Sequence, residues 1–219
     1  VTIMAKSIVS NNSSMTKTLA SLGAELPEGE VISYPYWDGG EHDDDIECSI
    51  VYFAASKGNV DMIRTLAELG ADVNLRNEES RNTALHAASG MGHLSAVEAL
   101  VELGADVNSC SFNHDPPIVV AALNGHVQVV RALAALGADV NKIGTSCYTA
   151  VNVAAEAGHM EVVKVLIELR ADIENTNVDE YSPMTTSAIG CEDLDMFTFL
   201  LNQGADVRNT LQRTLDDAR

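Results

Sequence analysis

Histidine is the side chain in this sequence best suited to acid–base catalysis, because the imidazole ring changes charge near neutral pH, and it is also a common metal ligand. Three histidines, His93, His126 and His159, follow one another at intervals of 33 residues, each directly after a glycine. A catalytic or metal-binding histidine needs specific partners around it, whereas constant spacing indicates one structural role that is repeated. We therefore predict a structural role for these three side chains and for His86.

Other residue types give no clear metal site. The run Glu41-His-Asp-Asp-Asp45 carries carboxylates, but it lacks the alternating order of ligands found in a calcium loop. The four cysteines, Cys48, Cys110, Cys147 and Cys191, lie 62, 37 and 44 residues apart, so no Cys-x-x-Cys pair exists. The sequence therefore predicts no bound metal, and it predicts reduced thiols in an intracellular protein.

Motifs for other catalytic chemistry are also missing from the sequence. Covalent catalysis needs a nucleophilic Ser or Cys that a base can reach, and no such motif accompanies the histidines. Neither of the glycine-rich phosphate loops, GxGxxG and GxxxxGK[ST], occurs. We therefore expect a protein that is not an enzyme and that needs no cofactor.

Charge and composition narrow the class of partner. The chain has 13 basic and 32 acidic residues, which give a formal net charge of −19. This balance argues against nucleic acid and against an anionic membrane surface, and it favours a partner with a basic surface. No apolar stretch approaches the roughly 18 residues of a membrane span. We expect a cytoplasmic monomer, with the nucleus as the alternative location. Because the sequence starts at Val1, we expect it to be either processed or cut from a longer protein.

Two phrases recur along the chain in a fixed register. The first reads Leu-Gly-Ala-Asp-Val-Asn at residues 69–74, 103–108 and 136–141, and its weaker copies lie at residues 22–26, 169–174 and 203–208. In the last five copies, the second residue of the phrase lies at positions 70, 104, 137, 170 and 204, so successive copies are 34, 33, 33 and 34 residues apart. The second phrase begins with a further glycine, which lies 12 residues before the second residue of four of these copies, at Gly58, Gly92, Gly125 and Gly158. Such locked spacing indicates an internal repeat.

Each repeat has the pattern of two short helices and a loop, and residues 83–104 show it best. The first helix is predicted from Thr83 to Gly90, and its small residues allow a neighbouring helix to pack closely. The second helix is predicted from Leu94 to Leu103, with one apolar face at helical spacing. Gly104 suits the left-handed residue that ends a helix. Helices this short are unstable alone in water, so stacking between repeats must stabilise them.

The repeat resembles the ankyrin-repeat family, since its period is about 33 residues and Thr83-Ala-Leu-His-Ala-Ala88 is similar to the family's Thr-Pro-Leu-His phrase. The resemblance covers nearly the whole chain. It implies an all-α solenoid over residues 1–219, in which each unit has two antiparallel helices and a projecting hairpin finger whose loop is too short for a true sheet. It also implies that the repeated histidines hydrogen-bond to loop backbone between units. The six units start near Thr2, Ser49, Thr83, Pro116, Thr149 and Ser182, and residues 209–219 form a frayed cap or a truncated seventh unit.

Two features depart from the family pattern. Arg170 stands where the other repeats have the glycine that ends the second helix. Residues 27–47 form an insertion between the first two units, and residues 25–47 hold nine acidic residues and no Lys or Arg. The insertion also holds Tyr34-Pro-Tyr-Trp37. It is either a solvated acidic loop or a lengthened finger whose aromatic residues, including Trp37, anchor a basic partner.

The resemblance implies that the finger tips and the exposed side of each first helix bind a partner. The tip positions are Glu79, Ser80, Asn82, Phe112, Asn113, Asp115, Thr145, Ser146, Tyr148, Val178, Asp179 and Tyr181. The helix positions are Ser56, Lys57, Gly90, Met91, Leu123, Asn124, Glu156 and Ala157.

Tyr148 and Tyr181 occupy the same position in adjacent units, so their rings are predicted to be neighbours on one face near Phe112. They are either binding anchors or a cover for the loop backbone. If they are anchors, replacing both tyrosines by alanine weakens binding more than tenfold.

The sequence therefore predicts a scaffold that binds another protein through the concave face and the finger tips. The alternative is a regulatory or substrate-recognition segment of a larger enzyme, channel or ubiquitin-ligase subunit. A third hypothesis concerns Asn74, Asn108 and Asn141, which resemble the asparagines that hydroxylases modify in this family.

Overall fold

The architecture is described from a computed structural model of the chain. It describes residues 3–27, 29, 31–35, 45–78, 80–112, 115–144, 148–174 and 194–205. The chain divides into two compact units, Val1–Phe112 and Asn113–Arg219.

The first unit is a stack of helix pairs with one small sheet. Its elements are α1 (Ile3–Val9), α2 (Ser13–Ser21), β1 (Val31–Pro35), β2 (Asp45–Ser49), α3 (Ile50–Ser56), α4 (Val60–Glu68), α5 (Ala84–Gly90) and α6 (Leu94–Glu102). Helices α3 and α4 form one pair and α5 and α6 the next, with α3 packed on α5 and α4 on α6. The predicted helices of residues 83–104 are confirmed to within one residue at each end.

The second unit repeats the same arrangement. Its elements are α7 (Pro117–Leu123), α8 (Val127–Ala135), α9 (Ala150–Glu156), α10 (Met160–Glu168) and α11 (Leu194–Asn202). Helix α7 packs on α9 and α8 on α10, while α7 pairs with α8 and α9 with α10. The predicted all-α solenoid is thus the architecture of the stacked repeats.

Small and aliphatic residues form most of the core in the described part of the chain, and aromatic residues make up only 5% of the sequence. The first helices bury alanines without any exposed surface, among them Ala54, Ala88, Ala122 and Ala154, so that the helix backbones approach closely. Four of the second helices each contribute one fully buried leucine, at Leu66, Leu100, Leu133 and Leu166. Burial of each leucine contributes about 1.5–3 kcal/mol, which accumulates only when the repeats are stacked.

The glycine–histidine turns join neighbouring repeats. Gly58 has φ +65°, and a Cβ atom at this position would lie 2.9 Å from the His93 ring. His93 Nε2 donates a hydrogen bond to the Ser56 carbonyl oxygen at 3.2 Å. A carbonyl oxygen only accepts, so Nε2 carries a proton. His159 repeats this contact in the second unit, with Nε2 3.0 Å from the Leu123 carbonyl oxygen. The predicted structural role is confirmed for both side chains.

The finger loops are joined by the asparagine of the recurrent phrase. Asn74 accepts a hydrogen bond from the Asp106 amide at 2.9 Å and donates one to the Gly104 carbonyl oxygen at 3.0 Å. Asn141 accepts in the same way from the Asp172 amide at 2.8 Å. Each asparagine amide therefore satisfies backbone groups of the next repeat, which explains why the phrase recurs.

The first helices begin with two versions of one capping arrangement. In α5, Nδ1 of the buried His86 lies 3.1 Å from the Thr83 amide nitrogen and 2.9 Å from its hydroxyl oxygen. In α9, Asn152 Oδ1 takes the same place, 3.0 Å from the Thr149 amide nitrogen and 2.6 Å from its hydroxyl oxygen. The departure from the family phrase at Asn152 therefore preserves the acceptor that the buried N–H group requires.

Helices α3 and α7 satisfy the same requirement without a histidine. At α3 the phrase is Ser49-Ile-Val-Tyr52, in which a tyrosine takes the place of the histidine. The Ser49 amide donates its hydrogen bond to Asn77 Oδ1 in a later loop, at 3.0 Å. In α7 the residue before the helix is Pro116, which has no N–H group. The phrase here is Pro116-Pro-Ile-Val119. Its fourth residue therefore needs no acceptor side chain, and it is a buried valine.

The insertion contains a sheet that the sequence did not predict. Strands β1 and β2 pair antiparallel, with Val31 opposite Ser49 and Pro35 opposite Asp45. Ile32 and Cys48 face each other in this register and are both buried. The expectation that the loops are too short for a sheet is therefore wrong at this insertion, where the added length allows two strands to pair. Trp37 and most of the acidic run lie outside the described residues.

Arg170 adopts the conformation that the alignment implies. Its φ is +65°, which is in the left-handed region that the glycines at the corresponding helix ends also occupy, such as Gly137 at +97°. In this region a residue with a Cβ atom destabilises the folded state by about 1–2 kcal/mol. Glycine avoids this strain, but it loses more backbone entropy than other residues when the chain folds.

We expect Arg170→Gly to raise the melting temperature, because the released strain exceeds the added entropy of the unfolded chain. The net gain is about 1 kcal/mol, which corresponds to about 2–4 °C for a domain of this size. Thermal unfolding followed by circular dichroism measures it. Gly137→Arg is the reciprocal control and should lower the melting temperature, because a Cβ atom there meets nothing within 4 Å and adds only backbone strain. An unchanged or lower melting temperature for Arg170→Gly would contradict the expectation.

Candidate protein-binding groove

An open groove runs along α7 and α9 in the second unit. It has a volume of about 300 Å³, at the lower end of the range for ligand pockets. It is lined by Asp115, Val119, Val120, Leu123, Tyr148, Val153 and Glu156. Four of these residues, Asp115, Leu123, Tyr148 and Glu156, belong to the set that the sequence predicts to bind a partner.

The repeat explains how the lining is arranged. Three pairs of lining residues are each separated by 33 positions: Asp115 with Tyr148, Val120 with Val153, and Leu123 with Glu156. The first pair precedes the helices, the second lies within them, and the third ends them. The groove therefore has two ends and a central floor. The two sides differ in chemistry at each end, because equivalent positions hold different residues.

One end of the groove is held by the loop before α9. The Gly144 amide donates a hydrogen bond to the Tyr148 carbonyl oxygen at 2.8 Å. The Asp115 carboxylate packs directly against Gly144, in space that a Cβ atom would occupy. Gly144 therefore holds Asp115 and Tyr148 beside each other. Tyr148 is half-buried, so part of its surface remains accessible.

The other end is fixed by the glycine–histidine turn. The His159 ring holds the carbonyl group of Leu123, the last residue of α7, through the 3.0 Å hydrogen bond. The backbone of Leu123 is therefore anchored, while 51% of the residue's surface is exposed. The floor residues Val119 and Val153 are buried, so their inner surfaces already pack in the core. Leu123 is thus the principal apolar side chain that a partner can cover.

The groove has an acidic character. Asp115 and Glu156 are its two charged lining residues, and its described lining includes no Lys, Arg or His. The net charge of −19 for the whole chain adds a negative field around the site.

Comparison with known proteins identifies the repeat. A family model described as ankyrin repeats (3 copies) matches residues 38–111 and 118–210, which is more than half of the chain. The chain belongs to the ankyrin-repeat family. Ankyrin repeats are generally protein–protein interaction modules. A search of the curated proteins finds no match to this chain. In the part of the chain that the structure describes, no helix is long and apolar enough to cross a membrane.

The ankyrin fingers of the first unit place a second apolar residue at the surface. Phe112 is 66% exposed, and its amide donates a hydrogen bond to the Ser80 carbonyl oxygen at 2.8 Å. Ser80 Oγ in turn accepts from the Asn82 amide at 3.2 Å. These three predicted residues therefore lie together at the tips of two successive fingers.

The remaining predicted positions fall into three groups. One group lies at the ends of α3, α5 and α9, outside the groove lining, and consists of Ser56, Gly90 and the exposed Lys57, Met91 and Ala157. Asn124 is exposed beside the groove, and its side-chain amide donates to the Val120 carbonyl oxygen at 2.8 Å, so it ends the helix. Eight positions lie outside the described residues: Trp37, Glu79, Asn113, Thr145, Ser146, Val178, Asp179 and Tyr181. The predicted proximity of Tyr148 and Tyr181 therefore stays a prediction.

Sequence reasoning missed the floor of the groove. Val119, Val120 and Val153 line it, although they resemble ordinary core residues of an ankyrin helix. The one available signal was position, because Val120 and Val153 lie one turn before the predicted helix residues Leu123 and Glu156 and therefore share their face.

Proposed function

We propose that this ankyrin-repeat protein is a recognition module that binds another protein through the groove between α7 and α9. The observation that carries the proposal is Leu123, which ends α7 with half of its surface exposed, in a groove that also holds a half-buried tyrosine. Leucine and tyrosine bury apolar area on binding, and the tyrosine hydroxyl adds a polar contact.

The finger tips of the first unit extend the proposal to a second contact. The exposed Phe112 ring lies beside Ser80 at adjacent finger tips, so it presents an aromatic anchor with polar neighbours. A single copy of the chain completes the groove, because all its lining residues lie within residues 115–156. Cys48 and Cys110 are thiols and not disulfides in the described part of the chain, which supports an intracellular location.

Site-specific photo-crosslinking tests this function. A photoreactive phenylalanine analogue at Leu123 should give a discrete crosslinked protein in a cell extract. Tyr148→Ala should strongly reduce that product, because the tyrosine contributes to the same contact. The same analogue at Gln128, an exposed residue of the second helix α8, should give no such product. Equal crosslinking from both positions, or none from Leu123, would contradict the proposed function.

A further inference from the structure

The first helix pair of the chain leaves an apolar face uncovered. We propose that this face binds an amphipathic helix of a partner protein, and that this helix carries Asp or Glu beside its apolar stripe. The face, which we call the α1–α2 face, consists of Ile3, Met15, Leu19 and Leu22. It belongs to the first compact unit, whereas the groove between α7 and α9 belongs to the second, so the two proposals do not depend on each other.

Helix α2 presents three of these side chains in one stripe. Met15, Leu19 and Leu22 are spaced as i, i+4 and i+7, which puts them on one side of a helix. Asn12 Oδ1 accepts a hydrogen bond from the Met15 amide at 2.9 Å, which caps the start of the helix. At the other end, the Leu22 amide donates to the Thr18 carbonyl oxygen at 3.2 Å. The helix backbone therefore holds the stripe in register along its whole length.

The corresponding residues of the next helix pair are buried. Met15 is 42% exposed, whereas Met62, at the same position of the repeat in α4, is 0% exposed. Ile3 is 63% exposed, and its counterpart Ile50 in α3 is 0% exposed. Helix α4 packs on both α2 and α6, while α2 packs on α4 and on its own partner α1. The α1–α2 face therefore consists of positions that a neighbouring helix pair covers elsewhere in the unit.

The apolar character of the face indicates that a helix covers it too. A repeat that ends a solenoid in water has a polar outer side, because no further repeat packs on it. Here the exposed side is apolar, since Leu22 is 78% exposed and Ile3 is 63% exposed. Contiguous exposed apolar residues mark an interaction site. Because helices cover the equivalent positions of the next pair, a helix is the element whose side chains fit between those of this surface.

The charge around the face favours an acidic helix. Residues 1–24 contain Lys6 and Lys17 and no Asp or Glu, so all 32 acidic residues of the chain lie beyond them. Lys6 is exposed, and because it follows Ile3 by three residues it lies beside it on α1. Among the residues that the structure describes, Lys6 forms no ion pair. Its ammonium group can therefore pair with a carboxylate of the partner helix, while the acidic remainder of the chain repels such a helix from other surfaces.

Fluorescence anisotropy with the full chain tests the face. The probe is a labelled peptide, Ala-Glu-Leu-Ala-Ala-Glu-Leu-Ala-Glu-Leu-Ala-Ala-Glu-Leu-Ala-Ala, whose leucines share one side of a helix with glutamates beside them. One comparison peptide has the same composition with its leucines distributed around the helix, and a second has glutamine in place of each glutamate. We expect the probe to bind at least fivefold tighter than the first comparison peptide and at least threefold tighter than the second.

Two matched pairs of variants locate the binding. Leu22→Ser should weaken probe binding at least fivefold, whereas Leu136→Ser, at the same position after α8 and 36% exposed, should leave it unchanged. Lys6→Gln should weaken it at least threefold and should remove the preference for glutamate over glutamine. Lys17→Gln is the control and should change binding less than twofold, because Lys17 follows Met15 by two residues and so lies on the other side of α2. Circular dichroism checks that each variant is folded.

Three results would overturn the proposal. The first is equal binding of the probe and of the peptide with distributed leucines, or wild-type binding in the folded Leu22→Ser variant. The second is a dimer of the protein alone, measured by sedimentation velocity, that Leu22→Ser dissociates, since the face would then bind a second copy of the chain. The third is binding to vesicles of phosphatidylcholine and phosphatidylserine that Leu22→Ser abolishes, with no binding of the probe, since the face would then bind a lipid surface.

Discussion

The double substitution Leu123→Ala/Tyr148→Ala is expected to weaken binding of the protein partner more than tenfold while the repeats remain folded. Both side chains line the groove, and the exposed half of Leu123 and the accessible part of Tyr148 contribute little to the core. A tenfold loss corresponds to about 1.4 kcal/mol, and a single aromatic anchor at an interface contributes about 2 kcal/mol or more. Two truncated anchors therefore suffice.

The fold should survive this substitution for identifiable reasons. The backbone carbonyl groups of Leu123 and Tyr148 accept hydrogen bonds from His159 and from the Gly144 amide, and alanine keeps both acceptors. Titration calorimetry with the partner that crosslinking identifies measures the affinity of each variant, and circular dichroism checks that the variant is folded. Leu136→Ala is the matched control, since this leucine is 36% exposed but lies outside the groove. Wild-type affinity in the folded double variant would refute the groove as the binding site.

The second large effect is expected at His86, where the substitution acts on stability. His86→Ala should lower the free energy of unfolding by about 2–3 kcal/mol. His86 is only 2% exposed, and Nδ1 is the acceptor for the Thr83 amide and hydroxyl. Its removal leaves a buried donor without that acceptor, which costs about 1–3 kcal/mol, and the lost ring adds a cavity. Urea unfolding measures the change.

Asparagine at position 86 separates the hydrogen bond from the lost volume. His86→Asn should recover most of the stability, because Asn152 already supplies the equivalent acceptor to Thr149 at 3.0 Å. The reciprocal pair, Asn152→Ala and Asn152→His, should show the same order in α9. If His86→Asn is as unstable as His86→Ala, packing of the ring and not the capping acceptor stabilises α5.

Much of the fold could be predicted from the sequence because the repeat makes each local signal visible several times. Glycines at constant spacing predicted the ends of the helices, and their positive φ angles bear this out at Gly70, Gly104 and Gly137. The same spacing assigned His93 and His159 to structure and not to catalysis. Even the departure at Arg170 was informative, since its alignment with glycine implied the left-handed conformation that it adopts.

The candidate site was predicted only in part. Asp115, Leu123, Tyr148 and Glu156 were identified as members of a larger set, but the sequence did not separate them from positions such as Asn124. The three floor valines could not be recognised, because a valine that packs in the core and one that also lines a groove have the same pattern. Their difference depends on which side chains stand beside them in the next repeat.

The sequence by itself therefore determined the repeat, the helices, the family and the acidic character, because these depend on residues close together in the chain or on plain counts. Only the tertiary structure decided the groove, the placement of Asp115 and Glu156 at its two ends, and the capping of α3 by Asn77. It also decided the β-hairpin of the insertion, where Ile32 pairs with Cys48. Each of these depends on a contact between residues distant in the chain, and such contacts form only when the chain has folded and the strands and repeats have aligned.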